Sequence, residues 1–210
     1  GWFPAMTLAD DPTVFWDAGA GTTYKVLDFN PTEFRGTVTI REALQYSLNI
    51  PAVKTMQFVG LQDAERQAQR FGIKSWQGSW GLSSILGSLN VHLIDMVQAY
   101  SVLANYGQYI PLHAINEITD SSGNVLFQYH VPRPVQVISP QIAFLITSIL
   151  EDNPARIGEF GPCSPLYLDT KADCEAYGGN SPNARPAAVK TGTGQNFTDD
   201  WTMGYTMDYT

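Results

Sequence analysis

Lys190, Thr191, Gly192 and Thr193 stand in line within "AAVKTGTGQNFTDDWTMGYT", residues 187–206. A cation, two hydroxyls and a residue without a side chain make a surface suited to a carboxylate. Lys190 supplies charge, the threonines and exposed backbone N–H groups supply donors, and the glycine lets a ligand or a second backbone come close. A solvated lysine on an edge strand is the plain alternative, so a second chemical element is needed. Ser47-Leu48-Asn49 is the candidate: a hydroxyl and an amide two residues apart share one side of the chain where it is extended. Ser and Asn are also common helix-end residues, and the pattern recurs at Ser88-Leu89-Asn90, Ser122-Gly123-Asn124 and Ser181-Pro182-Asn183. The tripeptide alone does not choose among the four.

The elements that must position these groups can be read along the chain. Ala187–Val189 suits a strand, residues 194–200 carry turn formers, and residues 201–209 alternate bulky with small or polar side chains, so the stretch reads as a hairpin with Lys190 in its first strand. Residues 1–36, rich in turn formers and aromatics, read as an irregular wrap. Thr39 and Glu42 form a capping box before Ala43, Leu44 and Leu48. Pro51 should stop that helix, leave Ile50 extended and sit in the first turn of the next one, which puts Ser47, Leu48 and Asn49 at a helix junction. Helices are expected over 61–71, ending at Gly72, and over 95–106, ending near Gly107. A hairpin is expected around Ser122, Gly123 and Asn124, and a helix opened by Ser139 and Pro140 through Leu150. Residues 152–186 read as a long loop holding both cysteines.

Bulk composition narrows the function classes. The 210 residues are 44% hydrophobic and carry a formal net charge of -8, which fits one globular domain with a substantial core and argues against nucleic acid as a partner. No stretch is apolar enough to span a membrane, so any anchor is expected outside these residues. His92, His113 and His130 are scattered and match no metal-ligand spacing, and no metal is expected. Cys163 and Cys174 are close enough in sequence for a disulfide, with two free thiols equally open. "GTGQNF" lacks the strand, loop and helix order of a phosphate cradle, and no cofactor is expected. Asn196-Phe197-Thr198 matches a glycosylation acceptor.

Three segments, "TIREALQYSLNIPAVKTMQFVG", "MVQAYSVLANYGQY" and "AAVKTGTGQNFTDDWTMGYT", closely resemble the transpeptidase domain of class A penicillin-binding proteins, in that family's order. The resemblance implies an α/β (α+β) transpeptidase and serine β-lactamase-like fold, with a mostly helical centre, terminal antiparallel strands and an incomplete sheet. It also implies peptidoglycan cross-linking through a serine acyl-enzyme. Of the family's three motifs, the Ser-x-Asn motif matches Ser47 and Asn49, and the Lys-Thr-Gly motif matches Lys190–Thr193. Ser47 would relay protons and Asn49 would hydrogen-bond the substrate backbone. Lys190 would hold the electrostatic field, while Thr191 and Thr193 beside Gly192 would bind the terminal carboxylate. The Thr193 N–H would form half of an oxyanion hole. The partners implied are peptidoglycan stem peptides and β-lactam antibiotics.

One motif departs from the pattern. No serine stands three residues before a lysine anywhere in the chain, and Thr22-Thr23-Tyr24-Lys25 is the near match, read as coincidence. Residues 1–210 are therefore expected to be a partial transpeptidase domain, truncated at both ends. It would lack the Ser-x-x-Lys nucleophile and the last strand, and would be inactive alone. The full protein is expected to carry an upstream glycosyltransferase domain and a membrane anchor and to work on the extracytoplasmic face. A compartment of that kind permits the Cys163–Cys174 disulfide. The alternatives are a D,D-carboxypeptidase or β-lactamase-like hydrolase of the same superfamily and a non-catalytic muropeptide-binding module.

Overall fold

The computed structural model describes residues 2–17, 21–28, 30, 32–194 and 199–210. The first of them are not an irregular wrap. They form β1 (Thr7–Asp10), β2 (Val14–Asp17), β3 (Thr22–Lys25) and β4 (Gly36–Thr39). β2 and β3 make an antiparallel hairpin, and β1 pairs antiparallel with β4, Thr7 opposite Thr39. In β2 the side chains alternate outward and inward: Val14 and Trp16 are exposed, Phe15 and Asp17 buried. Four-residue strands are too short for that alternation to stand out from the Asp, Pro and Gly between them.

Thr39 closes β4 and opens α1 (Ile40–Gln45) with the expected capping box: its hydroxyl accepts from the Glu42 N–H, and the Glu42 carboxylate accepts from the Thr39 N–H at 2.7 Å. α2 (Asn49–Val59) begins two residues earlier than proline chemistry suggested. Ile50 is helical rather than extended, and the extended residue is Leu48, at φ −70° and ψ 125°. A side chain far back in the chain, Asp28, caps the first N–H groups of α2 and offsets the crowding of Pro51 against Ile50. Gly60 turns α2 into α3 (Leu61–Arg70) at φ 86°, a value that favours glycine.

A 3-10 turn spans Leu82–Leu86, and α4 (Leu93–Ala104) buries Gln98, Ala99 and Val102. Next come β5 (Gln108–Tyr109), β6 (Glu117–Thr119), β7 (Val125–Gln128) and β8 (Val135–Gln136), pairing as β5 with β8 and β6 with β7. The β6–β7 turn is the expected one, with the Asp120 carboxylate accepting from the N–H groups of Ser122 and Asn124. α5 (Pro140–Leu150) starts at Ser139, whose hydroxyl accepts from the Ile142 N–H.

Residues 152–186 hold two helices, α6 (Asn153–Phe160) and α7 (Lys171–Tyr177), where a loop was expected. Asp152 and Thr170 cap them through the N–H groups of Ala155 and Asp173. Pro, Gly and Ser make up 11 of these 35 residues, and most of them sit at or beyond the helix ends. Gly158 is an exception, because a β-carbon there would come 3.2 Å from the Tyr46 hydroxyl and 3.3 Å from its ring, so α6 sits close against the residue that ends α1. Cys163 and Cys174 are joined in a disulfide. The chain closes with β9 (Ala188–Thr193) and β10 (Asp200–Tyr205), the expected hairpin, with Thr193 opposite Asp200 and Lys190 opposite Met203. Residues 195–198, including the Asn196-Phe197-Thr198 pattern, lie outside the described residues.

Two cores hold the site between them. One packs Phe15, Val26, Ile50, Val53, Met56 and Leu82, with Ile50 and Val53 fully buried, each side chain stabilising by about 1.5–3 kcal/mol. The other joins Leu150 of α5, Ala188 of β9 and Tyr205 of β10, with Tyr100, Leu103 and Ala104 of α4 against them. The first seats α2 and the second seats the hairpin on α4 and α5. Among the described residues every ladder is two strands wide.

Candidate active site

Ser47 occupies a backbone position where glycine is usual. α1 ends at Tyr46, Ser47 turns left-handed at φ 57°, the Ser47 N–H donates to the Leu44 carbonyl, and the Leu48 N–H reaches back to that of Ala43. Those bonds make a Schellman stop, completed by the contact of Leu48 with Ala43 in one small core. A side chain in this conformation costs about 1–2 kcal/mol relative to a right-handed one. The strain leaves the serine exposed at the end of α1 with its hydroxyl aimed at β9. Ser47, Leu48 and Asn49 are therefore not the uniformly extended junction expected; they run left-handed, extended and helical.

Lys190 meets that hydroxyl. Its Nζ donates to Ser47 Oγ at 2.5 Å and to the Thr191 carbonyl at 2.9 Å. Leu44 and Gln45 of α1, Ile149 and Leu150 of α5, and Phe160 of α6 wall the space around it. Burial among these groups pulls the lysine down to about 8, because the charged form loses hydration. Among the described residues no carboxylate pairs with it. The result is a cation with a spare valence, poised close to neutral pH and in contact with one hydroxyl. It can hold an incoming anion, and through Ser47 it can pass a proton.

Asn49 is fixed by its amide. Nδ2 donates to the Leu27 carbonyl at 2.8 Å, and its backbone N–H donates to Asp28 Oδ1 at 2.5 Å. The side-chain carbonyl has no donor among the described residues, so it can accept from a ligand N–H.

Strand alternation places Lys190 and Gly192 on one face of β9, and Thr191 and Thr193 on the other. The cation and the two hydroxyls thus flank the strand's unpaired edge instead of sharing a face. A β-carbon at Gly192 would meet nothing within 4 Å, so neighbours do not force glycine there; its absence leaves open space. Gly204 is different: a β-carbon there would come 2.7 Å from the Ala188 carbonyl across the ladder.

Of the four Ser-x-Asn copies, Ser47 alone meets Lys190. Ser88 is engaged with Ser83, Ser122 lies in the β6–β7 turn, and the buried Ser181 accepts from the Asn183 N–H. Thr22 and Lys25 are three apart in β3 and so face opposite ways, which rules out a nucleophile–base pair there.

Several supporting residues escaped the sequence reading. Arg156 is buried, its guanidinium donating to the carbonyls of Leu150 and Leu166 and to Asn153 Oδ1, which fastens the end of α5 to the cysteine segment. Thr147 Oγ1 and the Tyr205 hydroxyl lie 2.6 Å apart, tying β10 to α5. Asp28 caps α2 across 21 residues. No local pattern marks any of them, since each partner is distant or a backbone carbonyl.

The family model described as the penicillin binding protein transpeptidase domain matches residues 7–209. Penicillin-binding protein 2D of Bacillus subtilis is 33% identical over 71% of this chain and 21% of its own length. Penicillin-binding protein 1A of Vibrio cholerae is 27% identical over 96% of this chain and 26% of its own. The chain thus spans about a quarter or less of these curated relatives. Among solved structures, penicillin-binding protein 1A from Haemophilus influenzae superposes with a TM-score of 0.74 at 26% identity, over 98% of this chain and 33% of that one. PonA1 from Mycobacterium tuberculosis, also solved with penicillin V, superposes at 0.73 and 25% identity, over 98% of this chain and 52% of that one. With the match running through nearly every described element, the chain belongs to the penicillin-binding protein transpeptidase family.

Proposed function

We propose that residues 1–210 supply two walls of a peptidoglycan D,D-transpeptidase site, the Ser47-x-Asn49 wall and the Lys190-Thr191-Gly192-Thr193 wall. The observation that carries this reading is the 2.5 Å contact between Lys190 Nζ and Ser47 Oγ, made across 143 residues between groups with no structural need of each other. A stem peptide ending in D-Ala-D-Ala would lie along the free edge of β9. Lys190 with the Thr191 and Thr193 hydroxyls would hold the terminal carboxylate, and Asn49 would accept from the peptide N–H. The Thr193 N–H would donate to the developing oxyanion, a contact whose loss usually costs about 3–4 kcal/mol of transition-state stabilisation.

Ser47, hydrogen-bonded to a lysine near neutrality, would carry the proton that the attacking serine releases toward the departing D-Ala amine. The acyl group then passes to an amine of a neighbouring stem peptide, and a β-lactam would stop the cycle at the acyl-enzyme. No lysine in these residues has a serine three positions before it, so the attacking Ser-x-x-Lys belongs to another part of the protein, and residues 1–210 alone transfer no acyl group. In the full-length protein we place this site outside the cytoplasmic membrane, where peptidoglycan lies, with a glycosyltransferase domain in the same chain. Among the described residues no helix is long and apolar enough to cross a membrane.

The test is intact mass and peptide mapping after incubation with benzylpenicillin. The full-length protein should gain one adduct, on a serine of a Ser-x-x-Lys sequence, while residues 1–210 gain none. A folded full-length protein without adduct, or an adduct on Ser47 or Thr22, would overturn the assignment.

A further inference from the structure

Two aspartates lie together beneath the Ser47–Asn49 junction and take no part in the chemistry above. Asp10, the last residue of β1, is fully buried, and Asp28, between β3 and β4, is nearly so. Asp28 Oδ1 accepts from the N–H groups of Asn49, at 2.5 Å, and of Ile50, at 3.3 Å. Asp10 Oδ2 accepts from the Arg35 N–H at 2.8 Å. The remaining oxygens, Asp10 Oδ1 and Asp28 Oδ2, are buried with no N–H or O–H donor among the described residues. Asp10 is also the side chain that, after burial, does most to raise Asp28, and two carboxyl groups can bond only through a proton that one donates to the other. A proton shared between the two carboxyls would give these buried oxygens the donor they lack.

We propose that Asp28 is a positioning residue for Ser47, Leu48 and Asn49: its carboxyl holds the first turn of α2, and a proton shared with Asp10 sets where that carboxyl sits. The proposal rests on reading Ser47 and Asn49 as site residues. Asn49 is gripped twice from the same short segment, at its amide side chain by the Leu27 carbonyl and at its backbone by Asp28. A shift of residues 27–28 therefore moves Asn49, and with it the serine two residues before.

Burial, then the bond to Asp10, push Asp28 up to about 6, against the two backbone donors that pull it down. Other charged groups nearby are already engaged. Lys54 of α2 donates to the Ala9 carbonyl and pairs with the Asp11 carboxylate, and the Arg35 guanidinium pairs with Glu159 over the Tyr46 ring. With the folded value above the ordinary 3.8, the fold binds this proton more tightly than the unfolded chain. Its contribution is complete below that ordinary value and is lost as pH rises through about 6. Above that pH two carboxylates face each other and push the cap away.

The experiment compares wild type, Asp28→Asn and Asp28→Ala in the full-length protein. Asn keeps the acceptor for the α2 amides and gives Asp10 a permanent donor. The wild-type second-order rate constant for benzylpenicillin acylation should step with a midpoint of about 6, Asp28→Asn should show no step there, and Asp28→Ala should be slowed about tenfold. The amide signals of Asn49 and Ile50, read with 15N-asparagine and 15N-isoleucine labelling, should titrate with the same midpoint in wild type and not in Asp28→Asn. Wild-type pH profiles in both variants, with only melting temperatures lowered, would reduce Asp28 to scaffolding and overturn the proposal, as would flat wild-type amide signals. If wild type takes no penicillin, the proposed function falls, and the amide titration still decides whether Asp28 governs the junction.

Discussion

Ser47 Oγ lies 2.5 Å from Lys190 Nζ, and that contact joins the end of α1 to the middle of β9. Neither element needs the bond to fold: α1 is closed by its own Schellman turn, and β9 is held by β10 and by Ala188 in the core. A strained serine and a desolvated lysine are both costly, and they meet here. Their combined cost is what sets the pair apart from an ordinary surface hydrogen bond.

Lys190 should impose an alkaline limb on acylation. Burial lowers it to about 8, so in the free protein the ammonium that holds an anionic ligand is lost as pH rises through that value. The second-order rate constant for penicillin acylation of the full-length protein should fall on the alkaline side of that midpoint. Lys190→Ala should be slowed roughly 100-fold and lose the limb. Stability runs the other way: the folded value is depressed, so burying this charge costs most below about 8 and the cost fades as pH rises above it. Near-normal acylation of Lys190→Ala would remove the anchoring role.

Replacing Ser47 separates function from strain. Ser47→Gly relieves a left-handed side chain and should leave the fold as stable as before or up to about 1 kcal/mol more stable, since added unfolded-chain entropy offsets part of the relief. It also removes the hydroxyl that meets Lys190, so acylation should fall sharply. Ser47→Ala keeps the strain and should lose acylation without gaining stability. Ser88→Ala, remote from Lys190, should acylate as wild type. Denaturation midpoints and acylation rates on the same preparations decide the matter; a slow Ser88→Ala would mean the wrong copy of the tripeptide has been assigned.

How much of this was legible depended on the range of the interaction. Thr39 with Glu42, Ser139 with Pro140, and the turn at Asp120 act over one to four residues, and their elements appear where the sequence puts them. Ile50 broke the expectation because Asp28, outside any local window, caps the helix that Pro51 was expected to delay. β1 to β4 were hidden by their shortness, and α6 and α7 by the Pro, Gly and Ser at their ends. The positive φ of Ser47 had no signal at all, because the residue that would have announced it is glycine, and a glycine has no hydroxyl for Lys190.

The Cys163–Cys174 bond closes a loop with a sequence separation of 11, and such a cross-link stabilises by about 3 kcal/mol through the unfolded chain. That segment carries Leu166, whose carbonyl holds Arg156. The Cys163→Ser, Cys174→Ser double variant should therefore melt at lower temperature and lose protection from amide exchange in residues 162–179 first. Cys174 is buried but Cys163 is exposed, so thiols should reach the bond from the Cys163 side in native protein. Unchanged melting after verified reduction would mean that α6 and α7 pack independently of the bond.

The two glycines of the terminal hairpin give opposite predictions from one substitution. At Gly204 a methyl would press on the Ala188 carbonyl at 2.7 Å, backbone against backbone, in the ladder that seats β9. Gly204→Ala should lower stability by roughly 1–3 kcal/mol, measured by denaturation. At Gly192 a methyl meets nothing within 4 Å, and the residue is extended rather than left-handed, so Gly192→Ala should leave the denaturation midpoint unchanged. Its methyl points from the face of β9 that carries Lys190, into space a bound ligand would use. Penicillin acylation should therefore slow by roughly tenfold in a fully folded variant. Wild-type acylation by Gly192→Ala would place the ligand away from this stretch of β9, whatever Lys190 does.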